Sequence, residues 1–278
     1  MDKEFWFSLS RNDFQIPEGY TRSNLTEILF SYLASTDPDL RDEIAYTVYA
    51  NWLKQEMYSK EDLKSHVEKL LSNLDKGIGE TESDTVFLRA FSILLLAEIV
   101  HNDNKKPIME KDQIEEILDK GLWYLDAEKD PRGYIPVKGW AHALAHTADL
   151  LLVLARNRNI DGADLSRMLS ATSAKMVHST DHIYIHGEDE RLARAILEIF
   201  RRDMIPSKQV ESWSKSFTQQ NDKDWKGAFL DEETNRAFQN TRNLLRSVYL
   251  ALIAQPGEFP NRERLSGWVL ETINTLRP

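Results

Sequence analysis

An all-α protein is what this sequence predicts, and three observations carry that reading. Apolar residues recur at helical spacing over long stretches, as in Leu63, Val67, Leu70, Leu71 and Leu74. No segment alternates apolar and polar residues in the manner of a half-buried strand. Turn-forming residues interrupt the periodic stretches at short intervals, which makes neighbouring helices antiparallel hairpins. The hairpins recur roughly every 45–50 residues, the spacing of HEAT-like and armadillo-like arrays. The expected architecture is therefore a single domain over residues 1–278, with antiparallel helix pairs wound into an α-α superhelix.

Residues 1–22 are rich in aromatics (Phe5, Trp6, Phe7, Phe14, Tyr20) and read as an arm or short helix packing on the first hairpin. Ser23 is placed to cap a helix over about 24–35, and Pro38 to occupy the first position of one running to about Met57. Ser59 caps a third, which Gly77-Ile78-Gly79 ends. A strongly apolar helix opens at Ser83 and carries Phe87, Phe91, Leu94, Leu95 and Ile99. Another spans Glu110 to Asp126. Two prolines and a glycine keep 128–138 out of continuous helix. Helices then follow over 139–157 and 163–178, and a second long connection covers 179–187. Glu188, Asp189 and Glu190 sit where a helix N-terminus favours negative charge, opening a helix to about Arg202. Pro206 opens the next, Trp225 lies in a loop, and helices over 231–254 and 261–276 finish the chain, about eleven in all. Both long connections precede the first helix of a pair, so they are expected on one edge of the array, with the His-bearing and Glu188-bearing helix N-termini as neighbours.

The 278 residues include no Cys, which removes disulfides, thiol nucleophiles and thiolate metal sites and agrees with a reducing cytoplasm. The N-terminus lacks the basic and apolar regions of a signal peptide, and the apolar stretch Phe91 to Val100 is too short to span a bilayer. A net charge of −10 argues against nucleic-acid binding through the phosphate backbone. No Gly-rich phosphate loop, nucleophile elbow or dinucleotide fingerprint is present.

The chemistry concentrates in Gly139-Trp140-Ala141-His142-Ala143-Leu144-Ala145-His146-Thr147-Ala148-Asp149-Leu150-Leu151-Leu152. As helix, it places His142, His146 and Asp149 on one stripe, because i, i+4 and i+7 share a face. The remaining faces are apolar, so the helix is buried and its polar groups need partners. Two imidazoles at i and i+4 match a helical metal pair for zinc or manganese, with Asp149 as third ligand or orienting group. The residue after the first His is Ala143 rather than Glu, which argues against a thermolysin-like peptidase. The alternative is that both His are satisfied by neighbouring groups in the core. Glu188 and Arg191 are candidates for the opposite wall, as a carboxylate and an anion clamp. Asn240 and Asn243 lie on a polar stripe with Arg236 and Ser247 that suits either a polar ligand or plain solvent. Trp140 and Tyr134 can wall the pocket. His66, His101 and His178 have no local constellation and read as surface or helix-end residues.

The run from Gly139 to Leu151 resembles a bacterial family designated a domain of unknown function, with a Gly-Trp-Ala-His-Ala-x-Ala-His-x-Ala-Asp-Leu-Leu signature. Gly187-Glu188-Asp189-Glu190-Arg191-Leu192-Ala193 is similar to that family's second landmark. The resemblance covers most of the chain, implies an all-helical fold and imports no activity. Three functions remain open: a protein binding a polar small molecule or peptide in a groove, a metal-dependent hydrolase on the His pair, and a protein-interaction scaffold.

Overall fold

The structure, a computed structural model, describes residues 1–178, 180–220 and 223–276. Ser179, the first residue of the second long connection, lies outside them. Twelve α-helices are present among the described residues, with two antiparallel pairs of two-residue strands, β1 (Tyr134–Ile135) with β2 (Gly139–Trp140) and β3 (Gln219–Gln220) with β4 (Lys223–Asp224). The expected all-α class holds. The expectation of no strand is corrected at these two hairpins. The chain divides into two compact units, Met1–Leu150 and Leu151–Pro278, and the division falls inside one helix, α7 (Ala143–Ala155).

The first unit contains α1 (Lys3–Arg11), α2 (Arg22–Tyr32), a π-helical segment (Asp39–Tyr46) running into α3 (Thr47–Lys54), α4 (Lys60–Asn73), α5 (Thr85–Lys105) and α6 (Lys111–Ala127). Thr21, not Ser23, caps α2, its hydroxyl accepting from the Asn24 amide. Ser59 caps α4 as expected, in a reciprocal pair with Asp62. Among these helices α3 packs on α5, and α4 packs on both α5 and α6. By length and composition α5 could cross a membrane, yet two thirds of its apolar window is buried inside the protein. It continues through Asn102-Asp103-Asn104, where a break was expected. Buried Asp103 accepts from the amides of Ile108 and Met109, which fastens the turn beyond the helix.

His66 corrects the surface assignment. It is 9% exposed, and the rings of Phe30, Tyr49 and Tyr58 surround it with centroids 5.1, 5.6 and 4.8 Å away. The Tyr49 hydroxyl lies 3.0 Å from Nδ1. Burial holds the Tyr49 phenol well above its ordinary range, so it stays protonated and donates to the imidazole.

The second unit contains α8 (Gly162–Val177), α9 (Glu188–Arg201), α10 (Ser207–Ser216), a 3-10 turn (Ala228–Leu230), α11 (Glu232–Ala254) and α12 (Arg262–Thr275). Here α8 packs on α9 and α10, α9 on α11, and α12 on both α10 and α11. Side chains close the helix ends. Arg202 donates to the carbonyls of Ala155, Asn157 and Ile160, which end α7 and its following turn. Trp213 and Trp225 donate their indole N–H groups to Leu169 and Phe217 carbonyls. As expected, Trp225 sits in a loop, and it is buried.

Burial drops the His66 pKa from 6.5 to about 4, against the smaller opposing pull of Asp62. The unfolded chain therefore takes the proton first. Stability from this group is full above pH 6.5 and is lost as pH falls toward 4. Between pH 7 and 4, His66→Phe should remove a slope worth roughly 3 kcal/mol from the stability profile. Urea midpoints of both proteins across that range are the check, and parallel profiles would contradict it.

Candidate ligand site

Two arginines with no exposed side-chain surface set the geometry of the connection between α6 and α7. Arg89 sits in the second turn of apolar α5. It pairs with Glu128 in bidentate fashion, Nε to Oε2 at 2.6 Å and Nη2 to Oε1 at 3.0 Å. It also donates to the Lys76 carbonyl and the Thr85 hydroxyl. Burial pulls its pKa down, but the bonds and charge of Glu128 more than offset this and hold the guanidinium above its ordinary value. The chain then feeds a relay. Glu128 accepts from the Asp130 amide at 2.9 Å. Asp130, 3% exposed, grips Arg132, whose Nη2 reaches the Ser83 carbonyl at 2.8 Å.

Arg41, in the π-helical segment, holds the far end of the same connection. It pairs with Asp42 at 3.0 and 3.2 Å and donates to the carbonyls of Ser35 and Lys138 at 2.7 and 2.8 Å. Its guanidinium lies over Phe87 and Phe91, 4.1 and 4.8 Å from the ring centroids. Burial lowers its pKa, and the carboxylates of Asp42 and Asp37 oppose that shift.

Between these anchors the chain makes a tight hairpin. Lys138 N–H donates to Ile135 O at 3.1 Å, closing a turn with Pro136 and Val137 at its corners. Val137 has φ +70°, the sign that a type II turn demands at its third position and that a β-branched residue resists. Gly139 follows at φ +78°, where a β-carbon would lie 3.0 Å from Pro38 Cβ and 3.1 Å from an Arg41 nitrogen. Conformation and space both demand glycine there.

The expected helix over 139–157 begins only at Ala143. Gly139 and Trp140 are strand, and His142 stands one residue ahead of the helix at φ +57°. The assumption that His142 and His146 share a helix face is thereby corrected. Backbone bonds explain the delay. The amides of Ala141 and His142 are spent on the carbonyls of Gly133 and Arg132, and the His142 carbonyl accepts the first helical bond, from His146 N–H. The two rings nevertheless meet, with centroids 5.9 Å apart at 71°. His142 stacks on Trp140 at 4.5 Å and 19°. Trp140 in turn meets Tyr134 at 5.1 Å and 72°. Both imidazoles are 5% exposed, whereas Trp140 and Tyr134 are 38% and 51% exposed.

His146 has a defined tautomer. Its Nδ1 lies 3.0 Å from the Ala90 carbonyl, which can only accept, so Nδ1 carries the proton and neutral His146 has its lone pair on Nε2. Its ring packs against Phe91 at 5.1 Å. Asp149 lies on the same helix and is half-buried.

The other candidates belong to the second unit. Glu188 is 1% exposed at the first position of α9, and its Oε2 accepts from the His186 amide at 2.8 Å. Gly187 precedes it at φ +82°. Asp189 accepts from Ser247 at 2.6 Å. Arg191 and Asn243 are half-buried. Asn240 is 2% exposed, so the solvent-face reading of its stripe is corrected. Its amide takes the Tyr184 N–H at 3.0 Å and donates to the His182 carbonyl at 2.9 Å, pinning the 180–187 connection to α11. Among the described residues, no three His, Asp or Glu side chains gather closely enough to hold a metal ion.

Sequence reasoning missed Arg41, Arg89, Glu128, Asp130 and Arg132. Only Arg89 left a signal, as a cation amid Phe87, Phe91 and Leu95 that must find a buried partner.

Fold and side chains together define an all-helical protein with its polar chemistry concentrated where a braced connection meets a buried helix. A family model described as a protein of unknown function, DUF2785, matches residues 74–250, more than half of the chain, and the chain belongs to that family. No curated protein and no solved structure matches it.

Two substitutions in the hairpin should act in opposite directions. Gly139→Ala should cost about 2 kcal/mol or more, from positive φ and the contacts with Pro38 and Arg41. Val137→Asn, at a position 93% exposed, should stabilise by roughly 0.5–1 kcal/mol because Asn tolerates the left-handed region. Thermal melts of the two variants beside the parent decide both signs.

Proposed function

We propose that this chain is a binding protein for a polar small molecule, with its ligand site at the start of α7 and with Trp140, His142 and His146 as contact residues. Asp149 lies one turn further along the same helix. The observation that carries the reading is His142. Its ring stays buried against an exposed indole while its backbone occupies a left-handed conformation that costs of order 1–3 kcal/mol. Strain of that size persists where surrounding structure over-determines it, and such positions cluster at binding and catalytic sites. Here the surrounding structure is a set of buried ion pairs behind the loop, as expected of a preorganised site with a supporting shell.

We infer further that the scaffold is an array of helix pairs of the HEAT or armadillo kind. Its support is that helices pack on the next but one within each unit: α3 on α5, α4 on α6, α8 on α10, α9 on α11 and α10 on α12.

A thermal-shift screen of neutral and charged metabolites tests the proposal on the parent protein, Trp140→Leu and His142→Asn. Asn keeps the left-handed backbone while removing the imidazole. A ligand at about one hundred times its Kd should stabilise the parent by roughly 2.7 kcal/mol, and both substitutions should abolish that gain. Hits that stabilise all three proteins equally would refute the site.

A further inference from the structure

Resting on that reading of the site, we propose that its ligand is an organic ammonium ion, held against the aromatic corner of Tyr134 and Trp140. Three observations lead there.

The first is charge. Residues 1–150 carry 28 acidic against 17 basic side chains, a net −11, whereas residues 151–278 carry 17 against 18, a net +1. The whole negative excess of the protein belongs to the unit that bears Tyr134, Trp140 and His142. Such a field concentrates cations and repels phosphates and carboxylates.

The second is the shape of the aromatic pair. Tyr134 and Trp140 meet edge to face, their planes at 72° and centroids 5.1 Å apart, so two aromatic surfaces stand nearly perpendicular at the hairpin. Both remain substantially exposed although one indole face rests on His142. Aromatic faces are the negative pole of the ring quadrupole, and a corner of two such faces is the geometry that receives a methylated or primary ammonium group.

The third is the neutralisation of nearby bases. Lys138, at the hairpin, is held by both oxygens of Asp84 at 2.7 and 2.8 Å. Arg132 is matched by Asp130, which with the fields of Asp84 and Glu82 raises its pKa, side-chain bonds to Asp130 first. The two bases of the hairpin region, Arg132 and Lys138, are thus matched by carboxylates.

Calorimetric titration of the full-length protein with choline, and with its uncharged isostere 3,3-dimethylbutan-1-ol, tests the inference. Choline should bind saturably, and roughly tenfold or more tighter than the isostere. Trp140→Leu and Tyr134→Leu should each reduce choline affinity by a similar factor, and raised salt should weaken it. Equal affinity for the two compounds, or no saturable choline binding at millimolar concentration, would overturn the ammonium assignment. A neutral or anionic metabolite that binds only when Trp140 and His142 are present would also overturn it, while leaving the site itself standing.

Discussion

Two charges buried without exposure, on Arg89 and Arg41, are the constraint on which the connection between α6 and α7 depends. A guanidinium withdrawn from water is tolerated only when its donors are matched, and removing one partner of such a pair costs about 3–5 kcal/mol. Arg89 is matched by Glu128, the first residue after α6, and Arg41 by Asp42 and by the Lys138 carbonyl ten residues further on. The chain between them is therefore fixed at both ends by groups that cannot let go cheaply. A loop of this length is usually the mobile part of a domain. Here it has been made a rigid support.

The consequences run along the chain in order. Glu128 orients Asp130, Asp130 orients Arg132, and the Arg132 and Gly133 carbonyls hold the amides of His142 and Ala141. Bonded to the returning strand in this way, residues 139–141 stay out of the helix, and α7 begins at Ala143. His142 then has to turn through the left-handed region to join the helix, which lays its ring on Trp140 rather than on the helix surface. Gly139 and the π-helical Arg41 are complementary parts of this arrangement, since any β-carbon at 139 would press on the guanidinium.

Most of the helices were legible in the sequence because their signals are local. Ser59 with Asp62, Pro38 near a helix start, and the acids at Glu188 to Glu190 each act within one turn. The long connections were legible too, from Pro131, Pro136 and Gly133. The start of α7 was not. Residues 140–142 continue the apolar pattern of the helix, and what keeps them out of it is pairing with residues 132–135 and the left-handed turn at His142, which periodicity does not register. The candidate site was legible as a list of side chains, Trp140, His142 and His146, and the geometry joining them was not. Asn240 illustrates the other limit. A polar stripe on α11 reads as a solvent face until the backbone of His182 and Tyr184 is found lying against it. His66 failed likewise, because its aromatic enclosure comes from Phe30, Tyr49 and Tyr58, which lie outside its own helix.

Amide hydrogen exchange in Glu128→Gln tests the central claim most directly, since this change keeps the side chain's size and removes the charge facing Arg89. If the buried pair holds the connection, the amides of Ala141 and His142 should exchange at least roughly tenfold faster than in the parent, while α4 and α11 keep their protection. Unchanged protection at Ala141 and His142, or acceleration spread evenly through residues 1–150, would contradict it.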